Sequence, residues 1–139
     1  MTELFFEFNF DAAHRYMHKP IGHKERALHG HSFCAEVSVR GKPQTETGLI
    51  VDFEALEKVC AELRETLDHH FLNEIPGLES PSLENISRWI WQRLAPQFPG
   101  LHRVTIRQGS SPYGCSYFGD RESSLIGLFA DWARRVIRI

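Results

Sequence analysis

The chain has 139 residues, 42 % hydrophobic and 24 % charged, enough for one domain with its own core and ordinary for a globular protein. Lys and Arg number 16 and Asp and Glu 18, a net charge of −2 that excludes nucleic-acid binding through a general basic field. No apolar run approaches the roughly 18 residues of a membrane span. No basic stretch followed by an apolar one opens the chain, so no signal peptide is expected. Three scattered cysteines, Cys34, Cys60 and Cys115, make neither a disulfide framework nor a CxxC zinc ribbon, and a reduced, cytoplasmic setting is expected.

Leu4, Phe6, Phe8 and Phe10 share one parity and predict a strand over Leu4–Phe10. Residues 31–40 repeat the pattern with Phe33, Ala35, Val37 and Val39. Turn residues fill Gly41–Gly48, and Leu49–Val51 reads as a short strand. Asp52 is placed to cap a helix whose apolar stripe is Phe53, Leu56, Val59, Cys60, Leu63 and Leu67. After a loop at Pro76–Pro81, Ser82 caps a second helix with Ile86, Trp89, Ile90 and Leu94 inward, ended by Pro96. Leu101–Arg107 and Cys115–Phe118 read as strands around a turn at 109–114. Leu125, Leu128, Phe129, Trp132 and Val136 recur at helical spacing in a basic C-terminal helix. The order predicts an α+β fold, an antiparallel sheet with helices on one face and with open edges suited to oligomerisation. Residues 1–120 are expected to form this domain, and 121–139 its helical extension.

Histidine carries the first chemical signal, with seven of eight between His14 and His70. In His29-Gly30-His31 two imidazoles lie two residues apart, on one side of an extended segment, and can converge on a metal ion. A third ligand must come from elsewhere. His14 is best placed, while His18 and His23 compete on spacing from a less regular segment. Three neutral imidazoles leave the fourth position of Zn²⁺ open, the catalytic arrangement. Asp68-His69-His70 follows the first helix, and Asp beside His can orient an imidazole for proton transfer. The competing reading is a carboxylate that merely ends the helix.

The motifs Phe10–His14 (FDAAH), Leu28–Phe33 (LHGHSF), Gly48–Phe53 (GLIVDF), Leu67–Asn73 (LDHHFLN) and Pro81–Trp91 (PSLENISRWIW) occur in an order that resembles the 6-pyruvoyl-tetrahydropterin and 6-carboxy-tetrahydropterin synthase family. The bacterial members of queuosine biosynthesis look most similar. The resemblance spans about Phe6 to Gly119. It implies the tunnelling fold, in which strand pairs from several subunits form a barrel with active sites at subunit interfaces. A homo-oligomer, trimer or hexamer, is expected. It implies zinc on His14, His29 and His31, a small-molecule pterin substrate (7,8-dihydroneopterin triphosphate) and an Asp–His proton relay on Asp68 and His69. No nucleic-acid or membrane partner is expected.

Two positions depart from the family pattern. Glu25 stands where the family has its catalytic cysteine, four residues before His29. A subgroup with Glu there is known for cleaving the side chain to 6-hydroxymethyl-7,8-dihydropterin, a folate precursor, and a carboxylate base suits such a retro-aldol step. The alternative is an exposed loop residue. Gln108 stands where the family has a Glu that anchors the pterin ring; a neutral amide offers one acceptor oxygen and adds a donor. The ring is then held less tightly, or a different heterocycle binds. These departures also motivate a paralogue that binds a heterocycle around zinc without turnover, and a purely structural zinc is the remaining alternative.

Overall fold

The computed structural model describes residues 1–119 together with Ala133 and Val136. Four strands, β1 (Thr2–His14), β2 (His29–Gly41), β3 (Leu101–Gln108) and β4 (Gly114–Tyr117), form one antiparallel sheet in that spatial order. Helices α1 (Phe53–Leu67) and α2 (Leu83–Leu94) follow β2, and short 3₁₀ turns lie at Lys24–Arg26 and Leu72–Glu74. The C-terminal helix expected from Leu125 to Val136 lies outside the described residues, Ala133 and Val136 excepted.

Strand parity separates the two faces. Phe8, Phe10 and Ala12 of β1, Phe33, Ala35, Val37 and Val39 of β2, and Val104 and Ile106 of β3 are buried in the core. Against them pack Leu56, Val59, Cys60, Leu63 and Leu67 of α1 and Ile86, Trp89, Ile90 and Leu94 of α2. Both helices start at the caps read from sequence: Asp52 accepts from the Glu54 N–H at 3.0 Å, and Ser82 from the Asn85 N–H at 3.1 Å. The opposite face is charged. Arg103 bonds Glu36 at 2.7 Å, Arg107 reaches the other Glu36 oxygen at 3.3 Å, and Ser38 donates to Glu3. That Ser38 bond, aided by Arg103 and Arg40, brings the Glu3 carboxyl down to about 2 against the opposing effect of desolvation.

Two expectations need correction. Leu49–Val51 is not a strand: Gln44 N–H bonds the Leu49 carbonyl at 3.0 Å and Gly48 N–H bonds the Gln44 carbonyl at 2.8 Å, so the Leu49 carbonyl closes a local turn instead of entering a ladder. The first two strands are longer than read, 13 residues each, because pairing runs in register from Thr2 opposite Gly41 to His14 opposite His29. That extension carries the histidines onto the sheet. Beyond it, the 69–71 segment covers the end of β1's outer edge: His69 N–H bonds the Asp11 carbonyl at 2.6 Å, and Ala13 N–H bonds the His70 carbonyl at 3.0 Å.

Candidate metal centre and flanking clefts

The β1–β2 register sets His14 directly opposite His29, with His31 two residues further along the same face. Ring centroids are 4.6 Å apart for His14–His29, 5.0 Å for His14–His31 and 4.9 Å for His29–His31. One nitrogen from each ring lies within 4.8 Å of the other two. Gly30 permits this closeness, since a Cβ there would stand 3.3 Å from the Ala12 carbonyl oxygen.

The nitrogens are already sorted. His14 Nδ1 faces the Pro81 carbonyl at 3.2 Å and His29 Nδ1 the Ala27 carbonyl at 2.8 Å, leaving each Nε2 available to a metal ion. His14 is wholly buried, and its Nε2 has no hydrogen-bond partner. An orphaned buried nitrogen costs roughly 1–3 kcal/mol, a cost that a metal ion would remove. Burial, with the neighbouring His29 and His31, takes the His14 imidazole down to about 4, against the opposing effect of its Pro81 bond. Burial and His29 also lower His31. Both rings therefore stay in the neutral form that binds metal. Three imidazoles without a thiolate fit zinc with an open position. His18 and His23 stand apart: the His18 ring lies 5.7 Å from Tyr16, and His23 Nδ1 accepts from the Glu25 N–H at 3.1 Å.

A cleft of about 550 Å³ opens beside His29 and His31, lined also by Tyr16, Lys24, Glu25, Glu84 and Gln108. Glu25 reaches it from the 3₁₀ turn, which is fixed by a 2.8 Å bond from Tyr16 N–H to the Glu25 carbonyl. Arg26 steadies the same loop with 2.8 Å bonds to the Met17 and Lys19 carbonyls. Desolvation would raise the Glu25 carboxyl, but Lys19, 3.4 Å away, together with His23 and Lys24 holds it below its ordinary value. Gln108 ends β3 with its Nε2 3.0 Å from His31 Nε2. Tyr16 and Glu84 were not singled out as cleft residues from sequence. Tyr16 shares the parity of Ala12 and His14, which was the available signal, while Glu84 reads as a simple complement to the α2 N-terminus.

Asp68 and His69 do not line this cleft. They lie at the end of α1, and His69 borders a second cleft of about 550 Å³ with Asp11, Gly30, His31, Ser32, His70 and Phe71. Asp68 Oδ1 accepts from the Asp11 N–H at 2.8 Å, and Oδ2 faces His69 Nδ1 at 2.9 Å. The Asp11 bond first, then His69 and Arg64, hold the Asp68 carboxyl below its ordinary range, against the opposing effect of desolvation. His69 adopts φ 58°, a left-handed conformation uncommon for a residue with a Cβ. His31 thus touches both clefts, with Glu25 on one and His69 on the other.

The model of the 6-pyruvoyl tetrahydropterin synthase family matches residues 3–120. The chain belongs to this family. It is 38 % identical over 132 residues to a Synechocystis 6-carboxy-5,6,7,8-tetrahydropterin synthase, covering 91 % of this chain and 100 % of that protein. It is 34 % identical over 112 residues to a dihydroneopterin monophosphate aldolase of Pyrococcus furiosus, covering 78 % of this chain and 91 % of the aldolase. Among solved structures, the Caenorhabditis elegans 6-pyruvoyl tetrahydropterin synthase superposes with a TM-score of 0.76 at 22 % identity, over 86 % of this chain and 96 % of that one. The Plasmodium vivax enzyme gives 0.61 at 21 % identity, over 84 % and 96 %, and two of its structures carry alanine or cysteine in place of a catalytic glutamate. These likenesses and the observed sheet bear out the tunnelling fold and the antiparallel sheet with helices on one face. Among the described residues no helix is long and apolar enough to cross a membrane.

Proposed function

We propose that the chain is a zinc-dependent lyase acting on the side chain of 7,8-dihydroneopterin triphosphate, in the manner of the 6-pyruvoyl and 6-carboxy synthases. The observation that carries this reading is the convergence of His14, His29 and His31 beside a cleft that also holds Glu25. Zinc held there would supply Lewis acidity toward the substrate's side-chain hydroxyls. Glu25, kept ionised by Lys19, accepts a proton from the substrate at the cleft. Asp68 holds His69 for a second proton transfer. Gln108 presents its amide to the heterocycle edge beside His31.

Because Asp68 and His69 lie outside the first cleft of their own chain, the reading takes the protein to be a homo-oligomer, trimer or hexamer, whose sites form at subunit interfaces. A second product is favoured by Glu25: cleavage to 6-hydroxymethyl-7,8-dihydropterin. Its support is the aldolase relative and the catalytic glutamate of the Plasmodium vivax protein.

The test is incubation of the zinc-loaded protein with dihydroneopterin triphosphate, and separately with the monophosphate, followed by mass spectrometry of the pterins. A 6-pyruvoyl or 6-carboxy product supports the first reading, and the hydroxymethyl pterin the second. No product from either, with no activity gained by Glu25→Cys, leaves a zinc-bearing protein that binds a heterocycle without converting it.

A further inference from the structure

We propose that Arg64 is a positioning residue for the Asp68–His69 pair, its guanidinium joining the last turn of α1 to β1 and setting the carboxylate that aims the imidazole. This rests on the proton-transfer role proposed above for the pair. Arg64 Nε donates to the Asn9 carbonyl of β1 at 2.8 Å, and Nη2 lies 3.3 Å from Asp68 Oδ2. An ordinary i,i+4 ion pair on a helix surface does little, because both side chains are free to leave it. Here the bond to Asn9 holds one side of the guanidinium and so fixes the other against the carboxylate.

The carboxylate is constrained from each element around it. Asp11 of β1 donates its N–H to Oδ1, Arg64 comes from α1, and His69 Nδ1 meets Oδ2. His70 turns its ring back onto the Asp68 carbonyl at 2.7 Å. The His69 side chain, by contrast, is 79 % exposed, so packing does little to orient its ring and the Asp68 contact sets its direction. With Nδ1–H donated to Asp68, Nε2 is left as the free acceptor, the form a base requires.

The experiment compares Arg64→Gln, which removes the charge, with Arg64→Lys, which keeps it, each alone and combined with His69→Ala. The His69 tautomer is read by ¹⁵N NMR on zinc-free protein, and kcat and KM are measured on zinc-loaded protein. Arg64→Gln is expected to mix the tautomers and lower kcat about tenfold at constant KM. Arg64→Lys recovers most of that loss, and Arg64→Gln costs nothing further once His69 is alanine. An unchanged tautomer, or an equal kcat loss with and without His69, overturns the proposal and leaves Arg64 a structural residue. If His69→Ala alone leaves turnover intact, the relay reading falls, and any catalytic consequence of Arg64 falls with it. The tautomer measurement still decides whether Arg64 orders the pair.

Discussion

Replacing His14 by leucine tests the metal centre without recourse to activity. In the zinc-free protein, His14 has one bonded nitrogen, to the Pro81 carbonyl, and one orphan, Nε2. His14→Leu removes the orphan but leaves the Pro81 carbonyl unpaired, and each such group costs roughly 1–3 kcal/mol. The two terms offset, so at pH 7.5 the zinc-free variant should lie within about 1 kcal/mol of the parent. Acid should then separate them. The imidazole is at about 4 in the fold against an ordinary value of 6.5, so the unfolded chain takes up the proton first as pH falls. The parent should lose about 2 kcal/mol between pH 7.5 and pH 5 from this group alone, and His14→Leu should not. Zinc at 100 times its Kd should stabilise the parent by about 2.7 kcal/mol. For a domain of this size that raises Tm by about 10 °C. Calorimetry with and without zinc at both pH values provides the comparison. An equal zinc shift in parent and variant would exclude His14 as a ligand, and equal acid sensitivity would mean that its imidazole is not held neutral by burial.

Glu25→Gln should lower turnover by about 100-fold or more while zinc content, read by elemental analysis, stays unchanged; retention of a tenth of parental turnover would remove Glu25 as the proton acceptor. Gly30→Ala introduces a Cβ 3.3 Å from the Ala12 carbonyl oxygen, so β1 must yield. Urea denaturation should show a loss of about 1 kcal/mol, and competition with a chelator should show weaker zinc retention. Unchanged zinc retention would mean that the register of the triad tolerates the shift. Glu3, brought down to about 2 from 4.5, contributes stability that is present above 4.5 and lost as pH falls toward 2. Glu3→Gln should therefore be less stable at pH 7 and show a shallower acid slope over that window, followed by circular dichroism in urea.

The sheet was legible because alternation from Leu4 to Phe10 and from Phe33 to Val39 follows the pleat directly. The ends of β1 and β2 were not, since Ala12, Ala13 and Gly30 carry too little side chain to show a pattern, and their pairing depends on the partner strand. The false strand at Leu49–Val51 had β-branched Ile50 and Val51, but both backbone groups of Leu49 are spent within a local turn, on Gln44 and Thr47. Within the site, the three metal-ligand candidates follow from parity plus pairing, and parity alone is in the sequence. The contact of Gln108 with His31 is a cross-sheet relation between residues far apart in the chain. The left-handed φ of His69 has no composition signal, because glycine is the usual marker and a histidine stands there.

The separation of Glu25 and His69 bears on how the proposed site works. Glu25 and His69 line different clefts, and His31 is common to both. The bonds of His69 and His70 to β1 fix their backbone beside the second cleft. Proton movement on two faces of one substrate calls for groups on both sides of it. On the proposed reading a single chain therefore supplies a metal centre with one proton acceptor in the first cleft, and the second group must arrive from a neighbouring copy. Mixing chains that carry only Glu25→Gln with chains that carry only Asp68→Asn examines this directly. If sites are shared, mixed oligomers regain turnover that neither variant has alone; if each chain works by itself, mixing restores nothing.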